Sequence, residues 1–137
     1  MVKVFFDTNV LISAFAARGL CADLMRIVLA EHELQTGEVN LIELRRVLRD
    51  RFKAPAAQLE RVDALLRNQT IIDKPAEILS LKVRDADDAW VLASAVAGEA
   101  EMLVTGDQDL LVLAPKAPLP IVTPREAWEL LRGEGAT

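Results

Sequence analysis

The chain has 137 residues, which suits one domain built on one hydrophobic core, spanning residues 1–137. Its 21 acidic residues outnumber 16 lysines and arginines, and the net charge of −5 makes it no obvious binder of polyanions as a whole. Cys21 is the single cysteine and His32 the single histidine, which excludes an intramolecular disulfide and a zinc site built on the usual ligands.

The chain carries no sign of a membrane or of export. No apolar stretch approaches the roughly 20 residues that span a bilayer. The first residues have no cationic flank, long apolar core or small-residue cleavage site of the kind that a signal peptide has. We therefore expect a soluble, cytoplasmic protein.

Predicted strands and helices alternate along the chain. We predict strands at about residues 2–6, 34–36, 70–73, 102–104 and 120–122. Helical periodicity falls at residues 10–17, 21–32, 38–52 and 55–67, then from an acidic run at 85–88 to a stop at Gly98, and finally from Pro124 to a stop at Gly133. This alternation predicts a three-layer α/β/α sandwich with a central parallel sheet of about five strands.

Four acidic residues lie where such a fold could bring them together. Asp7 and Asp107 each follow a short apolar strand, and ligands bind outside the carboxyl ends of strands in open parallel sheets. Glu43 and Asp88 occupy helical positions whose neighbours one turn away are apolar, so their side chains should face the packing. Each acid alone is also explained by helix capping, or by an ion pair such as Glu43 with Arg46.

Taken together, the four acids predict a bound cation. Two unit charges 5 Å apart repel by about 3 kcal/mol at an effective dielectric constant of 20, and burial adds a desolvation cost. Oxygen ligands without Cys or His favour Mg²⁺ or Mn²⁺. Such an ion keeps several waters and can screen a phosphate, so phosphodiester hydrolysis is the reaction that fits best. Hydrogen bonds from Thr8, Asn9 and Thr105 would hold the carboxylates.

Other kinds of hydrolysis fit the sequence less well. A Ser-His-Asp arrangement would need His32 as its base, but that residue lies at the polar end of a predicted helix, where a solvated or C-capping role is expected. No GxxxxGK[ST] or GxGxxG motif is present to cradle phosphates. An aspartyl-phosphate on Asp7 would generally need a second Asp two residues later, where Asn9 stands.

Basic residues are concentrated in the third and fourth predicted helices. From Leu44 to Arg67 there are seven basic and three acidic residues, so this segment is locally about +4 in an acidic chain. It could hold phosphates of a nucleic acid, or it could be an ordinary charged helix face. The predicted RNA-binding side chains are Arg45, Arg46, Arg49 and Lys53.

Four segments resemble the acidic motifs of PIN-domain nucleases. They are Asp7-Thr8-Asn9-Val10-Leu11, Asn40-Leu41-Ile42-Glu43-Leu44, Asp85 to Ala93, and Val104-Thr105-Gly106-Asp107-Gln108-Asp109-Leu110. Their order and the chain length also agree with that family, and the resemblance extends through Glu126. Each motif is weak alone, but the four in order are specific.

The resemblance implies a metal-dependent endoribonuclease similar to the VapC toxins of toxin–antitoxin pairs. It implies a sheet ordered 3-2-1-4-5, a homodimer, and a small antitoxin that covers the acidic site. The positions that match the family's four acids are Asp7, Glu43, Asp88 and Asp107. Asp87 and Asp109 match positions where extra acids are common, and Thr8, Asn9 and Thr105 match supporting polar positions. The alternative is a non-catalytic RNA- or protein-binding module with a nuclease-like fold.

Overall fold

The computed structural model describes the backbone of residues 1–136 and the side chains through Gly133. Its strands are β1 (Lys3–Phe6), β2 (Glu33–Gly37), β3 (Thr70–Ile72), β4 (Met102–Val104) and β5 (Ile121–Val122). Its helices are α1 (Thr8–Ala16), α2 (Leu20–Glu31), α3 (Glu38–Asp50), α4 (Ala56–Arg67), α5 (Ala86–Ala97), α6 (Gln108–Leu111) and α7 (Pro124–Ala136), with a 3₁₀ turn at Ala114–Lys116.

All five strands run parallel in one sheet, in the order β3-β2-β1-β4-β5. Val4 on β1 pairs with Leu34 on one side and with Met102 on the other, so β1 is the central strand. The chain leaves β3 at one side of the sheet and returns at β4, across β1. This reversal opens a crevice at the carboxyl ends of β1 and β4, where parallel sheets bind ligands. The predicted fold class and strand order are confirmed.

Helices cover both faces of the sheet and bury most of β1 and β2 and all of β4 and β5, whereas β3 stays partly exposed. Because side chains alternate along a strand, Val4 and Phe6 point into a core shared with α1, α2, α3, α4 and α7. Phe5 points into a second core, formed mainly with α5 and α6. Burial on both faces explains why Val4, Phe5 and Phe6 of β1 form a continuous apolar run after Lys3.

Several predicted boundaries differ from the structure. α1 begins at Thr8 rather than at Val10, because Asp7 takes the N-cap position and its carboxylate accepts the Thr8 N–H. The prediction that Gly133 ends the last helix is wrong. Gly133 does not adopt the left-handed backbone conformation of a helix-ending glycine, and α7 continues to Ala136.

Two further features bear on the site. Residues 73–85 connect β3 to α5 without regular secondary structure and include Lys74. His32 is the C-cap residue of α2, and its Nδ1 accepts the Val2 N–H at 3.0 Å. In residues 1–136, no helix has both the length and the apolar character needed to cross a bilayer.

Candidate active site

An open cavity of about 280 Å³ lies at the carboxyl ends of β1 and β4. It is lined by Asp7, Glu43, Asp88 and Asp107, together with two arginines and other polar side chains. The structure therefore brings together all four of the acids singled out in the sequence. We call this space the acidic cavity.

Asp7 is held rigidly at the floor of the acidic cavity. β1 ends at Phe6, and the Asp7 N–H continues the strand pairing by donating to the Val104 carbonyl at 3.0 Å. The side chain is buried, with the residue 5% exposed. Its Oδ1 accepts the Thr8 N–H at 2.8 Å, and its Oδ2 accepts the Thr105 hydroxyl at 2.7 Å. Thr105, which follows the last residue of β4, thereby orients the carboxylate of Asp7, which follows the last residue of β1.

Asn40 completes the support of Asp7. Its amide Nδ2 donates to Asp7 Oδ1 at 3.2 Å and to Thr8 Oγ1 at 2.9 Å. Its Oδ1 accepts the Gly37 N–H at 3.2 Å, so it also caps the start of α3. We did not predict this role. The sequence signals that could have found it are the Gly37-x-x-Asn40 capping spacing and the position of Asn40 three residues before Glu43.

Burial raises the pKa of Asp7 from its ordinary value to about 6. Hydrogen bonds from the Thr105 hydroxyl and the Thr8 N–H oppose this rise because they favour the carboxylate. The negative charges of Glu43 and Asp107 add to the rise. A cation in the cavity would have the opposite effect on the Asp7 pKa.

Three carboxylates form a tight group beside Asp7. Asp88, Asp107 and Asp109 each place one oxygen so that all three oxygens lie within 4.8 Å of one another. Asp107 is the N-cap of α6, where its Oδ1 accepts the Asp109 N–H at 2.9 Å, and its own N–H donates to Thr105 Oγ1 at 3.0 Å. The short helix α6 therefore fixes the spacing of two of these acids.

Asp88 is the most strongly perturbed member of the group. The residue is 6% exposed, and its Oδ2 has no hydrogen-bond partner among the described residues. Burial, a hydrogen bond that its protonated form makes with Asp107, and the negative charges of Asp107, Asp7 and Asp85 raise the pKa of Asp88 to about 8. A buried carboxylate oxygen without a partner, facing two further acids, needs a proton or a cation.

The donor set fits a hard divalent cation. Asp88, Asp107 and Asp109 offer carboxylate oxygens alone, with no sulfur or imidazole ligand in the group, which is the chemistry that Mg²⁺ and Mn²⁺ prefer. These three residues would hold the ion. The sequence predicts Asp109 only as a supporting acid, because it matches a position where the motifs of the resembled family often hold an extra acid.

The acidic run at the start of α5 divides into different environments. Asp85 is the N-cap and accepts the Asp87 N–H at 2.9 Å, and both residues are exposed. Asp88 is the buried one, in register with the buried Leu92 one turn later.

Glu43 lies at the rim of the acidic cavity, with 39% of its side chain exposed and Arg46 Nη2 3.9 Å from its carboxylate.

Three of the four basic residues predicted to bind RNA share one groove. Arg46 lines the acidic cavity, as does Arg51. Arg45, Arg46 and Arg49 line a groove of about 430 Å³ between α3 and α4, so Arg46 borders both this groove and the acidic cavity. Lys53 lines neither space and lies in the α3–α4 connection with a positive φ of 54°.

Asn9, predicted as a supporting residue, donates weakly to Asp7 Oδ2 at 3.5 Å and accepts the Gly106 N–H at 3.1 Å.

Comparison with known proteins agrees with this geometry. The sequence profile of the PIN domain matches residues 3–109, which include all four acids and Asp109. The chain belongs to the PIN domain family. The match ends in α6, so the PIN domain profile covers the sheet up to β4 and every element that contributes an acid to the cavity.

Solved structures share the fold at low sequence identity. This PIN domain is similar to a chain in the crystal structure of VapBC2 from Rickettsia felis bound to a promoter DNA fragment (16% identity, 88% of this chain and 98% of that chain covered, TM-score 0.59). It is similar to a chain of FitAB bound to the IR36 DNA fragment (16% identity, 88% and 94% covered, TM-score 0.66). A toxin–antitoxin complex from Klebsiella pneumoniae also matches (24% identity, 88% and 97% covered, TM-score 0.63). A search of curated proteins by sequence finds no match.

Proposed function

We propose that this PIN domain is a Mg²⁺- or Mn²⁺-dependent endoribonuclease and the toxin component of a toxin–antitoxin pair. The observation that carries the proposal is the unpartnered, buried Oδ2 of Asp88 inside a group of three carboxylates. Membership of the PIN domain family supports nuclease chemistry. The matched structures from Rickettsia felis and Klebsiella pneumoniae, described as VapBC and toxin–antitoxin complexes, support the second part.

Each residue of the acidic cavity has a role in this proposal. Asp88, Asp107 and Asp109 would hold the ion, which when bound would acidify a water and offset the charge of the scissile phosphate. Asp7 stays ionised and oriented through hydrogen bonds from Thr105 and from the Asn40–Thr8 pair. These supporting contacts hold the carboxylate in place before substrate arrives.

Two side chains at the rim meet the substrate. Glu43 is half-exposed, so its carboxylate can orient the attacking water and accept its proton. The guanidinium of Arg46 is exposed and only weakly paired, so it can bind a phosphate oxygen of the RNA backbone. Arg45, Arg49 and Lys53 lie outside the acidic cavity, and in this proposal they contact more distant phosphates.

The matched toxin–antitoxin complexes support an antitoxin as a partner, and we propose a homodimer and a cytoplasmic location from the resemblance of the motifs to VapC toxins. An antitoxin would block the acidic cavity, the toxin would form a homodimer, and both would act in the cytoplasm. Co-expression with the product of a neighbouring short reading frame should then restore the growth of cells that the PIN domain arrests.

A cleavage assay tests the proposal. A fluorescently labelled single-stranded RNA should be cut in Mn²⁺ or Mg²⁺ and not in EDTA. Asp7→Asn and Asp88→Asn should lower the rate by roughly 100-fold or more, since both remove charge from the metal site. Asp73→Asn, a matched change at an exposed aspartate after β3, should cut at the wild-type rate. Saturable Mn²⁺ binding without RNA cleavage would instead indicate a non-catalytic module.

A further inference from the structure

A second cavity of about 280 Å³ adjoins the acidic cavity and is not used by the chemistry described above. The two cavities share lining residues, namely Glu43, Arg46, Asp87 and Val91. Its other walls include Trp90 on α5 and Ile42 on α3. We call it the Trp90 cavity. A ligand that fills it lies directly beside the acidic cavity.

The residues that line the Trp90 cavity are mostly polar, but they also include two large apolar side chains, Ile42 and Trp90. Ile42 is 67% exposed on α3, although the other face of this helix already fills the core. Trp90 is half-buried, so part of its indole ring faces the cavity. A large aliphatic side chain and an aromatic ring at the rim of a polar site are suited to contact a flat apolar ligand.

Two cations, Lys74 and Arg46, line the Trp90 cavity together with the carboxylates of Glu43 and Asp87. The Lys74 ammonium lies 4.4 Å from the centroid of the Trp90 ring. Lys74 is exposed and forms no ion pair with any residue that the structure describes. The Arg46 guanidinium borders both cavities. An aromatic surface with two available cations is the combination that binds a base and its phosphate in single-stranded nucleic acids.

We propose that the Trp90 cavity binds the unpaired base of a nucleotide next to the scissile phosphate, stacked on Trp90. The base takes the place of the Lys74 ammonium over the ring, and the ammonium then pairs with the phosphate of that nucleotide. This inference rests on the proposed ribonuclease function and makes the enzyme specific for single strands, since a base within a duplex cannot enter the cavity without being flipped out.

A nucleobase fits these observations better than a peptide does. The Trp90 cavity shares a wall with the site where the phosphate reacts, so the adjoining nucleotide must lie at or near it. The cavity also lies at the small end of ligand pockets, in keeping with one flat group. Trp90 and Trp128 are the two tryptophans of the chain, which allows binding to be followed by fluorescence.

The first test measures stacking directly. In the Trp128→Phe background, Trp90 is the sole tryptophan, and EDTA prevents cleavage during the titration. Single-stranded hexauridylate and hexaadenylate should quench Trp90 fluorescence, whereas an RNA duplex of the same length should not. Quenching by the duplex that equals quenching by the single strands would overturn the proposal.

The second test compares two tryptophans that each have a cationic side chain over the ring, Lys74 over Trp90 and Arg132 over Trp128. Trp90→Leu should weaken single-strand binding and raise KM by roughly 10- to 100-fold, the usual effect of losing one base–aromatic stack, with little change in kcat. Trp128→Leu removes a half-buried ring with Arg132 5.2 Å from its centroid, on α7 away from both cavities, and should leave RNA binding unchanged.

A double-substitution cycle locates the base. An RNA with one abasic nucleotide beside the cleavage position should bind the wild-type enzyme as weakly as the intact RNA binds Trp90→Leu, and the two changes together should have no further effect. Additive losses would show that the base and the ring do not touch. Quenching without cleavage would leave the cavity assignment standing and refute the nuclease. Cleavage without quenching would support the nuclease function and refute base binding in the Trp90 cavity. A protein partner would then be the remaining candidate for that cavity.

Discussion

Replacing Asp88 by Asn should stabilise the metal-free protein while abolishing its metal binding. Asn has nearly the same shape as Asp but carries no charge, so it removes repulsion with Asp107 and Asp109. Two carboxylate oxygens 4.8 Å apart repel by about 3 kcal/mol at an effective dielectric constant of 20. Because Asp107 and Asp109 are partly exposed to solvent, screening reduces the expected gain to about 1 to 2 kcal/mol.

The stabilisation by Asp88→Asn should grow with pH. The pKa of Asp88 is raised in the folded protein to about 8, so the folded state holds this proton more tightly than the unfolded chain does. At acidic pH the Asp88 carboxyl is protonated in both the folded and the unfolded protein, and it then does not oppose folding. As the pH rises through the pKa of the folded state, the Asp88 carboxyl lowers the unfolding free energy. The variant lacks the group, so the difference in stability should be smallest near pH 4 and largest above pH 8.

Thermal unfolding in EDTA at several pH values measures this effect. A gain of 1 to 2 kcal/mol should raise Tm by roughly 3 to 8 °C at pH 9 for a domain of this size. Asp87→Asn is a matched control on the same turn of α5; it removes an exposed acid near the helix N-terminus and should lower Tm slightly. Adding Mn²⁺ should raise Tm for the wild type but not for Asp88→Asn. A metal-free Asp88→Asn protein that is less stable than wild type at pH 9 would refute the argument from repulsion.

Three further predictions concern stability in urea. Asn40→Ala should lower the unfolding free energy by about 3 kcal/mol, because it removes the amide that donates to Asp7 and leaves buried groups without partners; an unchanged midpoint would contradict this. Gly98→Ala should destabilise by about 1 to 3 kcal/mol, since the added methyl would lie 2.7 Å from Ile72 Cδ1, whereas at Gly133 the same change meets no atom and should be neutral or stabilising. The metal-free protein should lose stability from about pH 4 to pH 7, because folding raises the pKa of Asp7 to about 6, a shift equivalent to about 3 kcal/mol. Mn²⁺ at 100 times its Kd should restore about 2.7 kcal/mol of the unfolding free energy. A flat pH dependence in EDTA would contradict the last prediction.

Much of the fold could be predicted because its signals are local. The strand positions follow from short apolar runs between turn residues, and their alternation with helices predicts the layers. The strand order came from the resemblance of the motifs. The short helix α6 was missed because four residues are too few to show a helical period. The end of α7 was misplaced because a glycine stops a helix only where the backbone turns left-handed, and Gly133 does not do so.

The positions of the acids could be predicted better than their surroundings. Asp7 and Asp107 follow strands, so the topology alone brings them to one edge of the sheet. The register of Asp88 with Leu92 distinguishes it from the two exposed acids before it. By contrast, the hydrogen bonds of Asn40 to Asp7 join residues 33 positions apart, and nothing local indicates them. Arg45, Arg46 and Arg49 line one groove beside α3, whereas Lys53 lies beyond the end of that helix and lines neither this groove nor the acidic cavity.

The place of β1 in the sheet has a consequence for folding kinetics. Its pairing with β4 joins Lys3 to Glu101 and Asp7 to Val104, which lie 98 and 97 positions apart, so we expect these long-range contacts to form late in folding. On this expectation, the carboxylates of Asp7 and Asp107 come together only when β1 pairs with β4. Their mutual repulsion should therefore raise the rate of unfolding more than it lowers the rate of folding. Charge removal or a bound ion should lengthen the lifetime of the folded protein, which stopped-flow unfolding rates can measure.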